Sequence, residues 1–239
     1  ELENQEQVKA YIKMARRANI PQYLNQRLYY DKKAKRKKPF KDDMTVYNDD
    51  YIEISIYNKL RQMKKEEKKI YSEKDFKAAE NIVRIEIRCM KKKLKELKKK
   101  FNVQTIDNFM KKADKIGRYL YKHYLSEMFG TGKIYTLKNA KEQFLLGDLK
   151  PKNIETLNEF LDFANEMRSV NKAYEIYCKA DGKKETRRIL NMFNYVDTSY
   201  VTMPNREAKL FKQEYIPAPL DLVADCLNLD EDWRYNDEY

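Results

Sequence analysis

Tyr57 is the residue of this chain whose setting offers chemistry. It closes the run YIEISIY at 51–57, in which Ile52, Ile54 and Ile56 alternate with Tyr51, Glu53, Ser55 and Tyr57. Successive side chains of a strand point to opposite faces, so the isoleucines read as a buried face and Tyr57 as part of an open polar one. Lys59, two residues on, shares that side if the strand continues. A second run, NIVRIEIR at 81–88, repeats the alternation, with Val83, Ile85 and Ile87 inward and Arg84, Glu86 and Arg88 outward. Paired in one sheet, most simply antiparallel, the two strands gather Tyr57, Glu53, Arg84, Glu86 and Arg88 on one surface. A phenol is a poor nucleophile while protonated, its ordinary pKa being about 10, but a nearby cation or metal favours the phenolate. Glu53 or Glu86 could hold Mg2+ or Mn2+, ions that prefer oxygen ligands. Such a set fits tyrosine attack on a DNA phosphate. It also fits plainer uses, since an exposed strand tyrosine commonly packs against neighbours or stacks on a base.

Other chemistries are excluded by motif. The chain has no P-loop, GxGxxG, GxSxG or HExxH pattern and no CxxC pair, and its single histidine, His123 in RYLYKHYL, rules out a histidine metal cage. His123 reads as a surface or interface residue. Cys89, Cys178 and Cys226 read as free, packed thiols of a reducing cytoplasm. No apolar run is long enough to span a membrane and no signal-peptide pattern opens the chain. The first residue is Glu1, not Met, which reads as an upstream part having been removed.

Of the 239 residues, 50 are Lys or Arg and 38 Asp or Glu, a net +12. The excess is not evenly spread: residues 1–100 hold 29 basic and 16 acidic residues, net +13, and 101–239 hold 21 and 22, net −1. A field of this asymmetry points the front at a polyanion. The run DKKAKRKKPFK at 31–41 supplies Lys32, Lys33, Lys35, Arg36, Lys37 and Lys38 as DNA contacts, on a segment whose composition reads as a mobile solvated loop. At the other end, 221–239 carries seven acids against Arg234 alone, with Trp233 among them. That end reads as a solubilising tail, or as a mimic of DNA that docks on the basic front.

The elements that must position these residues follow from periodicity. Apolar positions Val8, Tyr11, Ile12, Ala15 and Ala18 predict an amphipathic helix ended by Ile20-Pro21. The charged segment 59–79 is expected to be partly helical, and KKKLKELKKKF puts Leu94, Leu97 and Phe101 on one stripe of a short basic helix. Beyond it the pattern is helical, near 105–129, 137–147 with Thr136 as N-cap, 153–179, 184–194 and 220–228, with 197–219 irregular. The fold class is therefore α+β: a basic, antiparallel-sheet part over 1–103, an all-helical domain over 104–228 and an acidic tail over 229–239.

Three segments together resemble a known family: RRANIPQYLNQRLYYDKKAKRKK, TVYNDDYIEISIYNKLRQM and NIVRIEIRCMKKKLKEL. In this order and spacing they are similar to the gene II/X family of rolling-circle replication initiators of filamentous phages, plasmids and prophages. GTGKIYTLKNAKE, NYVDTSYVTMPNRE and YIPAPLDLV continue the resemblance to about Val223. The family is of the HUH type, nicking one origin strand with a tyrosine, holding the 5′ phosphate covalently and later rejoining the ends with the help of a divalent metal. The resemblance implies Tyr57 as nucleophile, Lys59 as its catalytic neighbour and Glu86 as a metal ligand, with Arg84 and Arg88 on phosphates. It implies single-stranded or hairpin origin DNA as partner, Mg2+ or Mn2+ as cofactor, and allows a host helicase as a further partner. The chain departs from the family in lacking the metal-binding histidine pair, which belongs upstream of the matched region. It also has Asp197-Thr198-Ser199 in place of an Asn-Pro pair, and Ala218 in place of an asparagine. A non-nicking, DNA-binding regulator of the gene X type is the alternative, and a helical interaction protein a further one.

Overall fold

Isoleucine at every second position builds the strand Ile52–Asn58, the centre of the first of two units into which the chain divides. The computed structural model describes residues 2–21, 24–26, 28–31, 36–39, 44–66 and 70–226. The first unit takes the described chain up to Arg16 and that within 22–112, and the second takes Arg17–Pro21 and the chain from Ala113 onward.

In chain order the first unit contains α1 (Gln5–Ala15), β1 (Asn25–Gln26), β2 (Leu28–Asp31), β3 (Arg36–Pro39), β4 (Met44–Asn48), β5 (Ile52–Asn58), α2 (Lys59–Lys65), α3 (Glu73–Ala78), β6 (Val83–Cys89), α4 (Lys91–Lys100) and α5 (Ile106–Lys111). Four strands form one antiparallel sheet in the order β1-β4-β5-β6. Ile52, Ile54 and Ile56 are fully buried, each contributing about 1.5–3 kcal/mol by leaving water. Helix α1 covers this face. Tyr47, paired across from Ile54, donates its hydroxyl to the Ala15 carbonyl at 3.4 Å, and Asn58 Nδ2 donates to Gln5 Oε1 at 2.7 Å.

The opposite face departs from its sequence reading. An open polar surface was expected, yet all seven residues of β5 are buried, with Glu53 and Ser55 7% and Tyr57 5% exposed. The reason is that β5 is flanked by strands on both sides, and the long side chains of β6 lie across it, Arg88 reaching Glu53 and Glu86 reaching Tyr57. The strand also stops one residue short of Lys59. The Asn58 side chain accepts the Arg61 N–H at 3.0 Å and so caps α2, which makes Lys59 the first residue of a helix and not a further strand residue.

The run 31–41, read as a loop, contributes instead to a β2–β3 hairpin that pairs Tyr29 with Lys38, Tyr30 with Lys37 and Asp31 with Arg36. Lys32, Lys33 and Lys35 lie outside the described residues, as do Trp233 and the acidic tail over 229–239.

The second unit is mostly helical: α6 (Ala113–Phe129), β7 (Ile134–Tyr135), α7 (Leu137–Leu146), α8 (Pro151–Glu166), α9 (Val170–Ala180), α10 (Lys183–Tyr195), α11 (Asn205–Phe211), β8 (Tyr215–Ile216) and α12 (Pro219–Cys226). It is not all-helical, because β7 and β8 pair antiparallel. Phe129, Phe144, Phe160 and Phe193 are fully buried in its core. The long helix expected over 153–179 is divided by Arg168, which turns left-handed at φ 52°, and α9 restarts with Ser169 accepting the Lys172 N–H. The segment 197–219, read as irregular, holds α11 and β8. Among the described residues no helix is long and apolar enough to cross a membrane. The chain is α+β, with its four-stranded antiparallel sheet in the front part.

Candidate functional site

The β5–β6 register sets the site. Tyr57 lies directly across from Arg84, and Glu86 across from Ser55, so Glu86 is Tyr57's diagonal neighbour on the same face, within reach of a long side chain. The Tyr57 hydroxyl donates to Glu86 Oε1 at 2.7 Å, and Arg84 Nε sits 3.0 Å from the same oxygen. While the tyrosine is 5% exposed, the side chains of Arg84 and Glu86 are 49% and 35% exposed, so the phenol's partners face solvent.

This geometry reverses the expected electrostatics of the phenol. Burial pushes the Tyr57 pKa well above its ordinary value, the hydrogen bond to Glu86 and the charge of that carboxylate raise it further, and Glu66 adds to them. Arg84 acts in the other direction and is outweighed. Tyr57 therefore rests as a protonated phenol whose hydrogen is already aimed at a carboxylate.

Glu66 is a member of the site that periodicity did not single out. It follows α2 at the end of the helix, where Gln62 Nε2 and Tyr71 Oη both donate to it. Its signal was the four-residue spacing from Gln62 on a helix face. Lys59 belongs to this second cluster: its Nζ donates to Gln62 Oε1 at 2.8 Å. Arg88 is held by Glu53, Nη1 to Oε1 at 2.9 Å, with the Glu53 side chain only 9% exposed. Of the residues expected on phosphates, Arg84 and Arg88 are thus engaged in ion pairs, and Arg36, Lys37 and Lys38 lie on β3.

The residues present do not fit the expected magnesium or manganese. Among the described residues no group of three or more His, Cys, Asp or Glu side chains comes together in a way that could hold a metal. Glu86, the expected ligand, has one oxygen occupied by both Tyr57 and Arg84, and a guanidinium 3.0 Å from a carboxylate opposes a second cation there.

No family model, curated protein or solved structure matches the chain. The site's geometry must speak for its chemistry. A hydroxyl and a carboxylate at 2.7 Å, the carboxylate held by a third group, are the parts of an activated nucleophile: attacker, base and orienting partner. Charge for a polyanion stands nearby in sequence on α4, where Lys95, Lys98 and Lys99 are exposed and carry no ion pair among the described residues.

Proposed function

We propose that the chain is a rolling-circle DNA replication initiation protein in which Tyr57 attacks a phosphodiester of the origin strand and Glu86 takes the phenolic proton. In the step, Tyr57 Oη forms a bond to phosphorus, the bond to the 3′ oxygen breaks, and the 5′ phosphate stays on the tyrosine. The 3′ oxygen leaves with a proton from solvent. Arg84 orients the carboxylate and lies beside the phosphate's path. The observation that carries the reading is the 2.7 Å bond from Tyr57 to Glu86, because a phenol held protonated needs a base and here one is already in place. The resemblance of IYNK and VRIEIR to the initiator family and the net +13 of the front support it.

Burial distinguishes this from a stacking role. A stacking platform must offer the face of its ring to a base, and a tyrosine 5% exposed does not. A nucleophile needs only its oxygen reached. The test incubates the full chain and its Tyr57→Phe variant with end-labelled single-stranded origin-type DNA, with Mg2+ or Mn2+ and with chelator. A denaturation-resistant protein–DNA adduct formed by the first and not the second is expected. Salt-sensitive binding without an adduct in either would replace the proposal with a non-nicking regulator.

A further inference from the structure

The second unit contains a cavity of about 410 Å³ that plays no part in the site above, within the range of roughly 300–1,000 Å³ that small ligands occupy. Arg17 and Arg168 line it, with Asn165, Asn205 and Glu166. The arginines come from distant parts of the sequence and are brought together by the backbone, since the Val170 N–H donates to the Arg17 carbonyl at 2.9 Å. The strap carrying Arg17 is fixed in turn by Asn19, whose N–H and Nδ2 donate to the carbonyls of Met128 and Glu127.

Arg168 occupies a position that backbone energetics reserve for other residues. Helix α8 ends with the Arg168 N–H donating to the Asn165 carbonyl and the Ser169 N–H to the Ala164 carbonyl, a closure that puts Arg168 in the left-handed region at φ 52°. Glycine is the usual residue there, and a long side chain costs on the order of 1 kcal/mol. Strain of this kind directs attention to what the side chain does. Neither guanidinium has a hydrogen bond or ion pair among the described residues, although Arg17 is half-buried. Burial lowers the Arg17 pKa most, Glu207 raises it, and the like charge of Arg168 lowers it again. Two arginines thus line one cavity with no hydrogen bond or ion pair from the described residues engaging their guanidinium groups, and such planar donors match the oxygens of a phosphate.

We infer that this cavity binds a phosphate group, carried either by a free nucleotide or by a DNA strand. The site stands on its own geometry, and only the second source rests on the replication reading. Glu166 shares the cavity and weakens its pull on anions, which supplies a control of opposite sign.

The test measures binding of inorganic phosphate, thymidine 5′-monophosphate and a short oligothymidylate to the full chain by titration calorimetry. Arg168→Gln and Arg17→Gln are each expected to weaken at least one probe by about tenfold or more, from the loss of a charge-assisted pair of bonds. Glu166→Gln should tighten the same probe. Arg168 and Glu166 are exposed, so both variants should fold as the parent does. An effect confined to the oligonucleotide assigns the phosphate to DNA, and one confined to the small probes assigns it to a free nucleotide. Failure of all three probes to bind, or affinities unchanged in Arg168→Gln and Glu166→Gln, overturns the inference. Tyr57→Phe should leave the affinities for inorganic phosphate and thymidine 5′-monophosphate unchanged while abolishing the adduct, so the two proposals fail separately.

Discussion

Replacing Glu86 by glutamine separates two ways in which a tyrosine can attack a phosphate. The carboxylate raises the Tyr57 pKa through its hydrogen bond and its charge, and Arg84 lowers it. Glutamine keeps an oxygen that can accept the phenolic hydrogen but removes the charge. The Tyr57 pKa should therefore move down, burial alone still holding it above the ordinary value of about 10. If attack proceeded through a pre-formed phenolate, the lower pKa would speed nicking at neutral pH. If Glu86 accepts the proton during attack, nicking should slow by about a hundredfold to ten-thousandfold, the usual worth of a positioned base. The variant should fold. Its pair with Arg84 is half-exposed, so the loss is about 0.2–1 kcal/mol, small against a domain stability of about 5–15 kcal/mol. Single-turnover adduct formation gives the rate, and the difference in alkaline absorbance titration between Glu86→Gln and Glu86→Gln/Tyr57→Phe gives the pKa. A lowered pKa with an unchanged or faster rate refutes the role assigned to Glu86.

Further consequences concern stability. Asn58→Ala removes both the cap of α2 and the bond to Gln5, and thermal denaturation should show a loss of about 2–3 kcal/mol. At Gly132 an added Cβ would stand 2.2 Å from the Thr198 nitrogen and 2.3 Å from the Asp197 carbonyl carbon, both backbone, so Gly132→Ala should cost more than about 3 kcal/mol. Gly117→Ala, inside α6 with open space around it, should stabilise by about 0.5–1 kcal/mol in the same assay. Tyr57, Tyr200 and Tyr135 all have pKa values raised chiefly by burial. The unfolded chain gives up those protons near pH 10 or so and the folded chain above it, so their contribution is complete below about pH 10 and is lost as pH rises further. Urea midpoints should fall with alkalinity, and less steeply in Tyr200→Phe, whose parent hydroxyl is bonded to the carbonyls of Ser126 and Glu127.

The alternation of Ile52, Ile54 and Ile56 and of Ile85 and Ile87 identified β5 and β6, because strict alternation of apolar and polar residues matches the period of a strand. Their antiparallel pairing followed, and Thr136 and Gly147 marked the ends of α7 as expected. What alternation cannot report is whether the second face is covered. Glu53, Ser55 and Tyr57 look like surface residues in one dimension, and become buried only when arginines and glutamate from β6 fold across them. Lys59 was misplaced for a similar reason: Asn58 reads as one more strand residue until its side chain caps a helix. The diagonal contact of Tyr57 with Glu86 depends on a register that neither strand specifies alone. Arg168, an arginine where a left-handed turn usually selects glycine, carries no signal in the sequence at all.

The central claim is that one hydroxyl among 19 tyrosines makes the covalent bond to DNA. It is tested most directly by isolating the adduct of the full chain with a short labelled strand, digesting it with trypsin and sequencing the nucleotide-bearing peptide by mass spectrometry. The account predicts a single modified peptide ending in IEISIYNK, with the phosphoryl group on Tyr57. Modification at any other residue, or of several tyrosines in comparable yield, contradicts it.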